Sequence, residues 1–131
     1  MIALDTNVLV RFLVEDDPKQ NAQARELIRR TIEAGASCFV SHIVFCELVW
    51  VLETSYGIAR RTIADHLHAL LRARHFEFSS LDESLRALKA FQTGRGDFAD
   101  YLIREQARSA GCEKVATFDR SLIREAGFTS P

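Results

Sequence analysis

The chain is short of several things, and each shortage removes a class of explanation. Its three cysteines, Cys38, Cys46 and Cys112, are odd in number and widely spaced. No CxxC pair exists, so neither a zinc knuckle nor a disulfide framework is supported. Reduced thiols in a cytoplasmic protein are the simplest account. The formal net charge is −1, which excludes a globally basic nucleic-acid binder while leaving room for a local patch. No apolar run approaches the ~20 residues needed to span a bilayer. Asp5 and Arg11 interrupt the apolar start and no cleavage site follows, which argues against a signal peptide. His42, His66, His68 and His75 show no ligand spacing, and His66 and His68, two apart on a helix, diverge. Lysine is scarce as well. Of 17 basic residues 14 are arginine, which suits bidentate phosphate contact better than lysine does.

What remains is a chain of 131 residues, a length that suggests one domain over 1–131. The opening stretch Met1-Ile2-Ala3-Leu4-Asp5-Thr6-Asn7 reads as a buried strand, central in a parallel sheet, that feeds a helix. A short helix follows over Asn7 to Leu13. Pro18 opens the next, which runs to about Glu33, with Gly35 at its end. Cys38-Phe39-Val40 is a second strand. Ser41 caps an apolar helix from His42 to about Tyr56, and Gly57 with Ile58 closes it. Arg60 to about Arg74 completes a helical hairpin. Phe76 to Phe78 is a third strand, and Leu81 to Phe91 a further helix. Thr93-Gly94-Arg95-Gly96 reads as a flexible loop. Asp97 opens a helix to about Ala110, Val115 to Thr117 is a fourth strand, a short helix starts at Leu122, and Phe128 belongs to an edge strand. The alternation predicts a three-layer α/β/α sandwich around a mainly parallel sheet.

The acids carry the functional argument. Asp5 and Asp119 both end predicted strands, the edge where open α/β sheets place their sites. Glu47 has only apolar neighbours from Val44 to Leu52, where a carboxylate is costly unless paired or bound to a metal. Asp97 and Asp100, three apart, share a helix face. Each acid also has a structural explanation. Asp5, Asp97 and Asp119 can cap helices. Asp100 can pair with Arg104. Glu47 can lie on a narrow exposed face or against a buried arginine. Jointly, four or five carboxylates at one crevice raise one another's pKa, a repulsion that a divalent cation relieves. Hard oxygen ligands suit Mg²⁺ or Mn²⁺, and such a site activates water at a phosphodiester.

These residues resemble successive signatures of a PIN domain: Asp5-Thr6-Asn7-Val8-Leu9, the lone acid in Ser41 to Leu48, Asp97-Phe98-Ala99-Asp100-Tyr101-Leu102-Ile103, and Thr117-Phe118-Asp119. The length and the run Arg11 to Pro18 are similar to VapC-type toxins of bacterial toxin–antitoxin pairs. The resemblance implies a Mg²⁺-dependent endoribonuclease held inactive by a cognate antitoxin. It makes Asp5, Glu47, Asp100 and Asp119 the acidic quartet and Asp97 an auxiliary metal-binding acid. Thr6 and Asn7 then position Asp5, Ser41 starts the Glu47 helix, and Thr117 orients the site. The apolar hairpin implies a homodimer and an antitoxin groove.

The mechanism expected is hydrolysis of RNA by water. One metal is held mainly by Asp5 and Asp100, and a second toward Asp97 or Asp119, with Glu47 on a metal or a bound water. Arg11, Arg95, Arg104 and Arg120 are candidate phosphate contacts, with salt-bridged or solvated arginines as the alternative. The rival readings are a PIN nuclease that is not a toxin and a metal-independent binding module. A phosphatase using Asp5 as nucleophile is disfavoured, because position 7 is Asn rather than a second acid.

Overall fold

The computed structural model describes residues 1–131. Helices and strands alternate in the α/β manner expected, and every strand pair is parallel. The chain divides into two compact units, Met1–Leu81 and Asp82–Pro131. No helix is long and apolar enough to cross a membrane.

In the first unit β1 (Ile2–Ala3), β2 (Cys38–Val40) and β3 (Phe76–Phe78) form a sheet in the order β1-β2-β3. Ile2 pairs with Cys38, and Cys38 with Phe76. Parallel neighbours need long crossovers. Here α1 (Thr6–Leu13) and α2 (Pro18–Glu33) supply the first, and α3 (His42–Thr54) and α4 (Arg60–Leu71) the second. The expectation of a central, buried first strand is corrected. β2 holds the middle of this sheet, and Ile2 and Ala3 are exposed. Only Leu4 of the opening apolar residues is buried. β1 lies at the edge of this sheet, bonded to β2 alone.

Local chemistry sets most helix ends. Asp17 Oδ1 accepts from the Gln20 N–H at 3.0 Å and Pro18 takes the first position of α2. The α3–α4 turn passes through Gly57 at φ +59, where an L side chain is strained, and the Ile58 N–H returns to the Leu52 carbonyl at 3.0 Å. Both hairpin helices stop a little earlier than their apolar patterns predict. Leu48, Leu52, Ile63 and Leu67 pack the hairpin and are wholly buried. Truncating any of them to Ala would cost about 2–5 kcal/mol.

The second unit contains α5 (Leu81–Thr93), whose first residue closes the preceding unit, then α6 (Phe98–Ser109), β4 (Val115–Ala116), α7 (Arg120–Ile123) and β5 (Phe128–Thr129). β4 and β5 pair in parallel, Val115 against Phe128. α7 begins two residues before the expected Leu122, because Asp119 caps it. Phe91 meets Phe98 edge-on, with ring centroids 6.0 Å apart. One carboxylate is enclosed in this unit. Glu105 accepts from Arg104 at 2.9 Å, Arg108 at 3.0 Å and Arg86 at 3.1 Å. Three charge-assisted contacts offset the desolvation of a side chain that is otherwise expensive to bury.

Candidate active site

In the first unit the end of β1 turns directly into α1, and the turn places Asp5 outside the helix as its N-cap. Asp5 has extended backbone, φ −80 and ψ 162, and its Oδ1 accepts from the Thr6 N–H at 2.9 Å. The side chain remains exposed. Thr6 is buried, and its hydroxyl donates to Glu47 Oε2 at 3.2 Å. Thr6 therefore joins the Asp5 turn to α3. Asn7 is exposed and lines a groove of about 290 Å³ with Val8, Arg11, Gln20 and Leu27. Ser41 Oγ accepts from the Ile43 N–H at 3.2 Å and starts α3, on whose second turn Glu47 sits.

Glu47 requires a correction. Its apolar neighbours suggest a buried charge, yet it is exposed, between the exposed Ile43 one turn before and Trp50 one turn after. Residues four before and three after share its face, while the adjoining Phe45, Leu48 and Val49 point into the core. The carboxylate lies on the narrow exposed stripe of an otherwise buried helix.

In the second unit Asp97 caps α6, and its N–H donates to Asp100 Oδ2 at 3.1 Å. Asp119 caps α7. Its Oδ1 accepts from the Ser121 N–H at 2.9 Å and from the Ser121 hydroxyl at 2.6 Å. The Asp119 N–H donates to the Thr117 hydroxyl at 3.1 Å, so Thr117 fixes the turn that presents the acid. Two opposite electrostatic settings result. The Ser121 contacts hold the Asp119 carboxyl below its ordinary value. Burial lifts Asp100 above its ordinary value; repulsion from Asp97, Asp119 and Glu125 adds to that, and the Asp97 N–H opposes it.

Glu125 had no signal in the sequence, where it is a lone acid near the C-terminus. Tyr101 brings it in. The buried Tyr101 hydroxyl donates to Glu125, lying 2.7 and 2.8 Å from its two oxygens, and accepts from the Gly96 N–H at 2.9 Å. The Thr93 to Gly96 loop, read as flexible, is thereby pinned. Gly94 is required there, since a Cβ would stand 1.9 Å from the Tyr101 hydroxyl.

The candidate arginines divide. Arg11 is held by Asp16 at 2.9 Å and Gln20 at 2.6 Å, and Arg104 is buried on Glu105 and the Ala126 carbonyl. Arg104 therefore does not pair with Asp100. Arg95 and Arg120 instead line a cleft of about 550 Å³ together with Arg124.

A PIN domain model matches residues 2–128. The chain belongs to the PIN domain family. It is also similar to a VapC ribonuclease of Aquifex aeolicus (strain VF5), 28% identical over 128 residues, which cover 98% of this chain and 93% of that protein.

Within this PIN domain the donor chemistry suits a hard cation. Asp5, Glu47, Asp97, Asp100 and Asp119 offer only oxygen, and none is paired with an arginine or lysine. As placed, no three acidic, histidine or cysteine side chains are gathered closely enough to enclose an ion.

Proposed function

We propose that this PIN domain is a metal-dependent endoribonuclease that hydrolyses RNA phosphodiester bonds, and that it serves as the toxin of a toxin–antitoxin pair. The observation that carries the reading is the match to the family along nearly the whole chain, on which the candidate acids Asp5, Asp97 and Asp119 stand at helix starts without cationic partners. The similarity to a VapC ribonuclease supports RNA as the substrate. In this reading Asp5, Glu47, Asp100 and Asp119 hold Mg²⁺, or Mn²⁺ in its place, and Asp97 assists. The bound ion would supply an activated water and neutralise charge developing on the phosphate.

The chain's own residues have separable tasks. Thr6 orients Glu47 and fixes the Asp5 turn. Asn7 extends that turn toward solvent, and Ser41 sets the start of the Glu47 helix. Thr117 fixes the turn that bears Asp119, and the Ser121 contacts favour its carboxylate form. Burial disfavours the charged form of Asp100, a cost that a nearby cation would offset. Ile43 and Trp50, 60% and 64% exposed on α3, support a covered face there, for a homodimer or for the cognate antitoxin. An RNA target and free thiols accord with a cytoplasmic setting.

The test is cleavage of end-labelled single-stranded RNA with and without Mg²⁺ or Mn²⁺. Metal-dependent cutting by the wild type, lost in Asp5→Asn and Asp119→Asn, is expected. Cutting that persists unchanged in both variants refutes the assignment. A metal-independent binding module remains the second reading, favoured by the absence of a preformed chelate; RNA binding without cleavage at any metal concentration would select it.

A further inference from the structure

The cleft bounded by Thr93, Gly94, Arg95, Arg120, Ser121, Arg124 and Glu125 lies wholly within the second unit. Its three arginines differ from most others in the chain. Arg11, Arg25, Arg29, Arg30, Arg86, Arg104 and Arg108 all form ion pairs, whereas Arg95, Arg120 and Arg124 form none and are exposed. The only acid in the cleft wall is Glu125, which accepts from the Tyr101 hydroxyl. Three guanidinium groups against one carboxylate leave the cleft wall with an excess of positive charge.

Its position is fixed by the same contacts that place the acids. Arg120 and Ser121 directly follow Asp119, and Arg95 precedes Asp97 by two residues. The Tyr101 hydroxyl holds Gly96 on one side and Glu125 on the other, so the loop bearing Arg95 is anchored to the segment that follows α7. Three guanidinium groups on backbone held in this way are pre-organised for anionic oxygens, which they meet bidentately. Three such groups lining one cleft offer more than one anion contact, which suits a chain of charges.

We infer that this cleft takes the backbone phosphates of single-stranded RNA flanking the bond that is cut, with Arg95, Arg120 and Arg124 as the phosphate contacts. The inference rests on the nuclease reading only for the identity of the polyanion. The adjoining acids favour RNA over an acidic polypeptide. A strand whose reacting phosphate is met by metal and whose next phosphates are met by arginine matches a surface with both signs side by side, whereas a run of carboxylates would be repelled by Asp97, Asp100 and Asp119.

The experiment is fluorescence anisotropy of a labelled single-stranded RNA in EDTA, where nothing is cut, across a range of salt concentrations. Arg95→Ala, Arg120→Ala and Arg124→Ala are compared with wild type and with Arg86→Ala, whose side chain is paired with Glu105. The thermal midpoint of each variant serves as the folding check. Each cleft substitution is expected to weaken binding several-fold and to reduce the slope of log K against log salt by about 0.7, the loss of one phosphate contact. Arg86→Ala should match wild type. Wild-type slopes in the cleft variants, or equal losses in Arg86→Ala, overturn the inference. Displacement of the RNA by polyglutamate at comparable concentration overturns it in favour of an acidic protein segment. Cleavage is assayed separately. Arginine-dependent binding without cleavage sinks the nuclease reading alone, and cleavage with wild-type KM in all three cleft variants sinks this inference alone.

Discussion

Thr6 and Glu47 meet across 41 positions of sequence, the buried threonine hydroxyl donating to Glu47 Oε2 at 3.2 Å. The bond ties the turn carrying Asp5 to the helix carrying Glu47. Thr6→Val removes the donor at nearly constant volume. It should cost about 1 kcal/mol in urea unfolding, since the acceptor remains free to meet water. RNA cleavage should fall by more than that stability loss explains, and Thr6→Ser should restore most of it. A Val variant with full activity would show that the bond has no role at the site.

Tyr101 gives a sharper stability test. Tyr101→Phe removes the hydroxyl that accepts from the buried Gly96 N–H and donates to Glu125, and should destabilise the chain by about 1–3 kcal/mol. Gly94→Ala should cost more, because its Cβ would fall 1.9 Å from the Tyr101 hydroxyl and 2.7 Å from Glu125 Oε1. Combining the two should cost less than their sum, since removing the hydroxyl opens the space that the methyl needs. Strict additivity would mean that the loop relaxes independently of Tyr101.

The acids of the second unit predict a pH effect with a definite sign. The folded chain raises the Asp100 pKa, so at neutral pH this carboxylate opposes folding, and the penalty is relieved as pH falls through its folded value. Asp119 has the reverse sign. Its lowered pKa stabilises the fold above the ordinary carboxylate value, a contribution lost as pH falls through the folded value. Metal-free Asp100→Asn should therefore melt higher than wild type at pH 7, and the gain should shrink as pH falls. A lower midpoint at pH 7 would show that the Asp100 charge is already compensated.

The thiols report on the core. Burial pushes Cys46 up to about 11 and raises Cys38 as well, while Cys112 is exposed. Iodoacetamide at pH 8 should label Cys112 first, and the other two only on unfolding, as peptide mass analysis would read. Early labelling of Cys38 would contradict its complete burial in β2.

Much of the fold was legible because its signals are local. Asp17-Pro18, Ser41 and Gly57-Ile58 each specify a cap or turn through their own backbone chemistry, and each does so in the structure. The acids at strand ends and helix starts were legible in the same way. What escaped depends on residues distant in sequence. The exposure of Glu47 follows from which face of α3 is covered, which its immediate neighbours do not reveal. Glu125 and Arg124 enter through Tyr101 and the cleft, and neither has a spacing that marks it. Arg104 looked available to Asp100 by helical register, but the adjacent Glu105, enclosed by three arginines, holds it instead.

The central claim is that acids of this chain bind a divalent cation. Thermal unfolding of EDTA-stripped protein, repeated with rising Mn²⁺, tests it directly. The account predicts a midpoint that climbs with metal, equivalent to about 2.7 kcal/mol at a hundredfold excess over Kd, and that stays flat in Asp5→Asn and in Asp100→Asn. A wild-type midpoint indifferent to millimolar metal, or an equal rise in both variants, would contradict it.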